Sequence, residues 1–71
     1  MIRTFEELYT RLEKVFTDNN IIVSMDNVKT IIEGNGTKAD GSIYDIIATL
    51  TDYCEASAET KELVNTLHSI A

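Results

Sequence analysis

An early segment of the chain, FEELYTRLEKVFT, carries apolar residues at helical spacing. The stripe consists of Phe5, Leu8, Leu12, Val15 and Phe16. Because an α-helix has 3.6 residues per turn, this spacing places all five side chains on one face. We predict a helix over residues 5–17 that packs on the rest of the chain through this face.

Polar residues mark both ends of this predicted helix. Thr4 followed by Glu7 predicts a capping box, in which each side chain accepts a hydrogen bond from a free backbone amide at the helix start. The turn formers Asp18, Asn19 and Asn20 predict the end of the helix.

Two later segments show the same pattern. After Ser42, which stands in a helix-capping position, an apolar stripe runs through Ile43, Ile46, Ile47, Leu50 and Cys54. Ser57 is expected to cap a last helix whose buried side holds Leu63, Val64, Leu67 and Ile70. The sequence therefore predicts three clear helices.

The segment at residues 21–33 is ambiguous. In one interpretation Ser24 or Asp26 caps a short helix, which buries Val28, Ile31 and Ile32 and ends at a left-handed Gly34. In the other, residues 21–33 form a short hairpin that turns at Asp26 and Asn27, and the fold is α+β. The helix is favoured because its stop signal agrees with its apolar spacing, and Asp-Asn is a weaker hairpin turn than Asn-Gly.

The predicted fold is all-α: one small domain over residues 1–71, built as a bundle of three to four short helices. The turn-rich sequence GNGTKADG is expected to be a loop before the third helix. A chain of 71 residues buries only a modest core. A homo-oligomer is one way in which it would bury more.

The charge of the chain is negative and unevenly distributed. Twelve acidic and six basic side chains give a net charge of −6, and residues 39–60 hold five acids and no base. Such a field repels nucleic acid and anionic membranes and attracts basic protein surfaces. We therefore expect no direct nucleic-acid or membrane partner. The alternative is that acidity only keeps a small protein soluble.

Location is indicated by the cysteine content and by the first residues. Cys54 is the single cysteine, which fits a reducing compartment better than secretion. The first ten residues, MIRTFEELYT, are charged and contain no long apolar run, which is not typical of a signal peptide. We expect a cytoplasmic protein.

The third predicted helix carries an acidic outer stripe. Asp45 and Asp52 fall within about 20 degrees of each other around the helix, and Glu55 lies about 60 degrees further round. If the last helix continues nearly in line, Glu59 extends the stripe. The alternative is a solvated face that happens to lack lysine. The predicted partner-binding residues are Tyr44, Asp45, Asp52, Tyr53, Glu55 and Glu59.

These features favour a non-enzymatic interaction protein. An acidic helix face that docks onto a basic surface suits an adaptor or an inhibitor, for example of a nucleic-acid-binding protein, because carboxylates can occupy a site built for phosphates. Small size and one-sided charge are also features expected of a phage-encoded inhibitor.

A second hypothesis comes from Asp40, Gly41, Ser42 and Ile43, which precede the acidic helix. This stretch resembles the attachment site of acyl carrier proteins, acidic four-helix domains in which an Asp-Ser motif begins a helix. The resemblance implies a phosphopantetheine arm on Ser42. Gly41 interrupts the motif, however, and the sequence after Tyr53 is short for the family's third helix. The simpler interpretation of Ser42 is a helix cap.

The sequence indicates no catalytic residue, metal or cofactor. Residues 40–43 are similar to the second half of an EF-hand loop, but Gly36, Lys38 and Ile47 stand where calcium ligands are needed. Cys54 has acidic neighbours, which disfavour a reactive thiolate. His68 is the single histidine, and we expect it to be solvated near a helix end.

Overall fold

The computed structural model describes residues 1–34, 37–38 and 41–71, which form four α-helices and one pair of two-residue strands. The helices are α1 (Phe5–Asp18), α2 (Met25–Glu33), α3 (Ile43–Tyr53) and α4 (Ala58–Ile70). The strands are β1 (Thr37–Lys38) and β2 (Gly41–Ser42), which are antiparallel with Thr37 opposite Ser42 and Lys38 opposite Gly41.

The predicted all-α bundle is confirmed. The alternative hairpin at residues 21–33 is wrong, because α2 occupies most of that segment. Strand pairing occurs instead within the predicted loop before α3. Residues 35–36 and 39–40 of that loop lie outside the described part of the chain. None of the helices named above is long and apolar enough to cross a lipid bilayer.

The start of α1 confirms half of the predicted capping box. The hydroxyl of Thr4 accepts a hydrogen bond from the Glu7 amide at 3.1 Å. The Glu7 carboxylate, however, accepts from the amide of Arg3 at 3.2 Å rather than from that of Thr4. Both side chains satisfy backbone donors near the helix start, but the second donor lies one residue earlier than predicted.

Helix α1 ends in a tight backbone turn. Asn20 has a left-handed conformation with φ 59°. Its amide donates to the carbonyl of Thr17 at 3.1 Å, and the amide of Ile21 donates to the carbonyl of Phe16 at 2.8 Å. These two bonds form a Schellman motif, a common helix ending that brings the residue after the turn back toward the last helical turn.

Helix α2 begins as predicted and ends differently. The hydroxyl of Ser24 accepts from the amide of Asn27 at 3.3 Å, which makes Ser24 the cap. Gly34 follows the helix with φ −96° and ψ 30°, so the predicted left-handed stop at Gly34 is wrong. Its amide still bonds to the carbonyl of Thr30 at 2.9 Å, and the last turn closes without a left-handed residue.

Helices α3 and α4 pack antiparallel. The rings of Tyr44, at the start of α3, and His68, at the end of α4, lie 6.5 Å apart between centroids, so α4 folds back along α3. Helix α4 also packs on α1, where Arg11 contacts Glu59. Helix α2 completes the bundle through contacts with α1 and α3.

The core is apolar and draws on all four helices. Its residues with no exposed surface are Leu12, Leu50, Leu63 and Leu67. The predicted buried faces of α1, α3 and α4 are confirmed in their central turns. At the helix ends they are wrong for two residues, because Phe5 is 49% exposed and Ile70 is 37% exposed.

Tyr9 takes the core position that the sequence assigned to Phe5. Its side chain is buried, and its hydroxyl donates a hydrogen bond to the Glu33 carboxylate at 2.7 Å. Phe5 stacks on the Tyr9 ring with centroids 5.9 Å apart. Burial is the main cause and the hydrogen bond to Glu33 the second cause that raise the pKa of Tyr9 well above its usual range. Tyr9 is tolerated inside because its one polar atom has a partner.

Candidate functional site

The outer face of α3 starts at a turn that suits glycine. Gly41 has φ 136°, a conformation that residues with a Cβ rarely adopt. A Cβ at Gly41 would also lie 2.9 Å from Oδ2 of Asp45. The same carboxylate oxygen accepts a hydrogen bond from the Ser42 amide at 2.8 Å. Asp45 is therefore held in place at the start of the helix.

Two aspartates and two tyrosines form the surface that we call the α3 outer face, defined as Tyr44, Asp45, Asp52 and Tyr53. All four side chains are exposed, Tyr44 by 61% and Tyr53 by 75%. Asp45 and Asp52 are separated by two helical turns, or about 10 Å along the axis. The opposite side of α3 is buried, as the apolar stripe predicts.

The carboxylates of this face form no ion pair with a described side chain. No ion pair between described side chains includes a residue of α3. Asp45 accepts a hydrogen bond from a neutral backbone amide, which leaves its charge in place. The surface is thus a negatively charged strip with an aromatic ring on each side.

Of the other two predicted members of the site, Glu59 lies apart from this face, whereas Glu55 follows it in the chain. The assumption that α4 continues in line with α3 is wrong, because α4 turns back after four connecting residues, 54–57. Glu59 consequently points at α1, where it binds Arg11. Glu55 is exposed just beyond the end of α3, and its amide donates to Oδ1 of Asn19 at 2.9 Å.

Arg11 connects α1 to α4 through an ion-pair cluster. Its guanidinium donates to both carboxylate oxygens of Glu59, at 2.8 and 2.7 Å, and also to Glu62. These hydrogen bonds hold the pKa values of Glu59 and Glu62 below their usual range. The cluster was not expected from the sequence, because its two sides are separated by 48 residues and no local pattern pairs them.

Ser42 is the N-cap residue of α3 and is half-buried. Its position before an acidic helix agrees with the carrier hypothesis. The short helix α2, however, precedes Ser42, and the link between Tyr53 and Ala58 contains no helix. A carrier domain has its short third helix in that link. Asp40, which the resemblance also uses, lies outside the described residues.

Cys54 and His68 lie at opposite ends of the α3–α4 hairpin. His68 is beside Tyr44, and ten residues of chain, about 15 Å of helix, separate Tyr44 from Cys54. The two side chains therefore cannot act as a couple. His68 is exposed near the end of α4, as predicted.

The thiol of Cys54 lines a groove of about 270 Å³ together with Leu50, Lys61 and Val64. Cys54 is half-buried, and this burial raises the pKa of its thiol. A raised pKa keeps the group protonated at neutral pH, which agrees with the predicted role as a small apolar residue.

Within residues 1–34, 37–38 and 41–71, no three histidine, cysteine, aspartate or glutamate side chains are grouped so that they could hold a metal ion.

No known protein family matches the chain, and comparisons with curated proteins and with solved structures found no significant similarity.

Proposed function

We propose that the protein is a non-enzymatic interaction module of the cytoplasm, an adaptor or an inhibitor, which docks the α3 outer face onto a basic protein surface. One observation carries the proposal. Two carboxylates that form no ion pair with a described side chain stand two turns apart on one helix face, between two exposed tyrosines.

Each part of this face suits contact with a cationic surface. Carboxylates pair with arginine and lysine and steer an oppositely charged partner during encounter. Tyrosine rings bury apolar area, keep a hydroxyl for hydrogen bonding and stack on guanidinium groups. Tyr44 and Tyr53 are exposed on a helix whose other side is fixed in the core, so the face is rigid before binding.

A nucleic-acid-binding protein is the partner class that fits this charge best. Its binding site is built to neutralise phosphates, and a strip of carboxylates presents charge of the same sign. Occupying such a site would block nucleic acid, which is an inhibitor's action. The net charge of −6 disfavours contact of the protein with nucleic acid itself.

The test combines capture with a matched pair of variants. Tagged protein is used to isolate partners from the native source, and the affinity of the purified complex is measured for Asp52→Asn and for Asp26→Asn. Both changes remove one exposed carboxylate, but only Asp52 belongs to the α3 outer face. We expect the first variant to bind about tenfold more weakly, a loss of about 1.4 kcal/mol, and the second to bind as the wild type does.

Salt dependence provides a second measurement on the same complex. Exposed charges are screened within about 10 Å at 0.1 M salt, so affinity should fall as salt is raised through the physiological range. Affinity that is indifferent both to salt and to Asp52→Asn would contradict the proposal. The intact mass of protein from the native source tests the carrier alternative. A phosphopantetheine adduct that is lost in Ser42→Ala would support the carrier function instead of the docking function.

A further inference from the structure

An isoleucine is fully exposed in the link between α1 and α2. Ile22 is 100% accessible, whereas its neighbours Ile21 and Val23 are half-buried. Single exposed apolar residues are ordinary on protein surfaces. Ile22 is of interest because it stands on the rim of an apolar groove.

This groove has a volume of about 440 Å³ and lies where the last turn of α1 meets the link and the first residue of α2. Its lining includes Glu13, Phe16, Ile21, Ile22, Val23 and Met25. A volume of this size is in the range of pockets that bind several side chains or a small molecule. It is open to the surface and lined mainly by apolar side chains.

The link that lines the groove is fixed at both of its ends. The Schellman turn at Asn20 fixes Ile21 beside Phe16, and the cap at Ser24 fixes the start of α2. Within the described structure, the amides of Ile22 and Val23 donate to no protein acceptor. The side chain of Ile22 therefore points outward from a short link whose two ends are each fixed by a helix terminus.

Two occupants of the groove are considered, a second copy of this chain and a different protein, and charge decides between them. Glu13 lines it and forms no ion pair with a described side chain. A second copy of this chain would bring another charge of −6, and across a two-fold axis it would bring a second Glu13 near the first. A cationic partner would neutralise Glu13 instead.

We propose that the groove binds an apolar segment of a partner protein that carries a lysine or arginine beside its apolar residues. The apolar side chains would fill the space next to Ile22 and Phe16, and the cation would pair with Glu13. This surface is formed by α1 and the link, and it is separate from the α3 outer face.

The experiment uses two designed amphipathic peptides with the same leucine pattern, one carrying lysine and the other glutamate at the polar positions. Backbone NMR shifts of the full chain are followed during titration with each. We expect the lysine peptide alone to bind and to shift the amides of Phe16, Thr17 and residues 21–25. Ile22→Ser should weaken this binding at least tenfold, Glu13→Gln should weaken it several-fold, and Asp52→Asn should leave it unchanged.

Three results would overturn the inference: equal binding of the glutamate peptide, shifts confined to α3, or no binding of either peptide. A dimer in sedimentation that Ile22→Ser dissociates would also overturn it, because a second copy would then cover the groove. Thermal unfolding of Ile22→Ser controls for the fold and should match the wild type, since the replaced side chain is fully exposed.

Discussion

At the scale of single residues, Asp45 serves both the fold and the proposed site. Its carboxylate accepts the amide of Ser42 at the start of α3 and also contributes negative charge to the α3 outer face. Replacing Asp45 would therefore change stability and docking together. The carboxylate of Asp52 accepts no hydrogen bond from a described residue, which makes Asp52 the cleaner position for testing the docking role.

Gly41→Ala is expected to destabilise the protein by about 1–3 kcal/mol, the usual cost of a residue held in a disfavoured backbone conformation. Two reasons act together, the φ of 136° and the close approach of the Asp45 carboxylate. Gly34→Ala is the matched control, because its φ of −96° is open to any residue, and we expect it to stabilise the protein by about 0.4–1 kcal/mol. Urea unfolding measures both free energies. Equal losses in the two variants would contradict the assigned conformations.

At the scale of elements, features set by neighbouring residues could be predicted and long-range contacts could not. The caps at Thr4, Ser24 and Ser57 were predictable because each hydroxyl bonds an amide three residues later. Periodicity gave the core side of each helix, but it did not separate Phe5 from Tyr9, because the hydrogen bond that permits Tyr9 to be buried comes from another helix.

In the candidate site, too, the local geometry was predictable and the long-range contacts were not. Helical geometry placed Asp45 and Asp52 together on the exposed side of α3, and both are exposed there. The direction of α4 could not be obtained from periodicity, so Glu59 was assigned to the wrong surface. Its contact with Arg11 depends on how two helices cross, which no local pattern records.

The ion-pair cluster that joins Arg11 of α1 to α4 predicts an acid-sensitive contribution to stability. Arg11 lowers the pKa of Glu59, so the folded protein holds this carboxyl ionised more strongly than the unfolded chain does. The gain is present above the unfolded pKa of about 4.3 and is lost as pH falls through the lower folded pKa. Glu59→Gln should cost up to about 1 kcal/mol at pH 7, since the pair is partly exposed.

The check on this prediction is to measure the free energy of unfolding of the wild type and of Glu59→Gln from about pH 2 to about pH 7. The difference between the two proteins should be absent at the acidic limit and complete at the neutral limit. Glu13→Gln is the control, because Glu13 has no ion pair with a described side chain, and we expect this change to leave the free energy of unfolding at pH 7 nearly unchanged. A difference between wild type and Glu59→Gln that persists at the acidic limit would mean that packing, not charge, explains the effect.

At the scale of the whole molecule, stability rests on a small shared core. Leucines from α1, α3 and α4 have no exposed surface, and the chain has only 71 residues to support them. Small domains are marginally stable, so each of these side chains accounts for a large part of the total.

Leu12→Ala should lower the free energy of unfolding by about 2–5 kcal/mol, because it removes a fully buried side chain and leaves a cavity. Ile47→Ala, 8% exposed in the wild type, should cost an amount in the lower part of that range. Ile22→Ala is the exposed counterpart and should change stability little. Calorimetric melting tests all three. A melting temperature unchanged in Leu12→Ala would show that the core is assigned to the wrong side of α1.

The packing of α1 on α4 has a consequence for synthesis of the protein. During translation, the apolar face of α1 leaves the ribosome well before the helix that covers it, because 48 residues separate Arg11 from Glu59. The apolar face of α1 in the nascent chain therefore stays exposed to non-native contacts until α4 emerges. We expect folding to be completed only then.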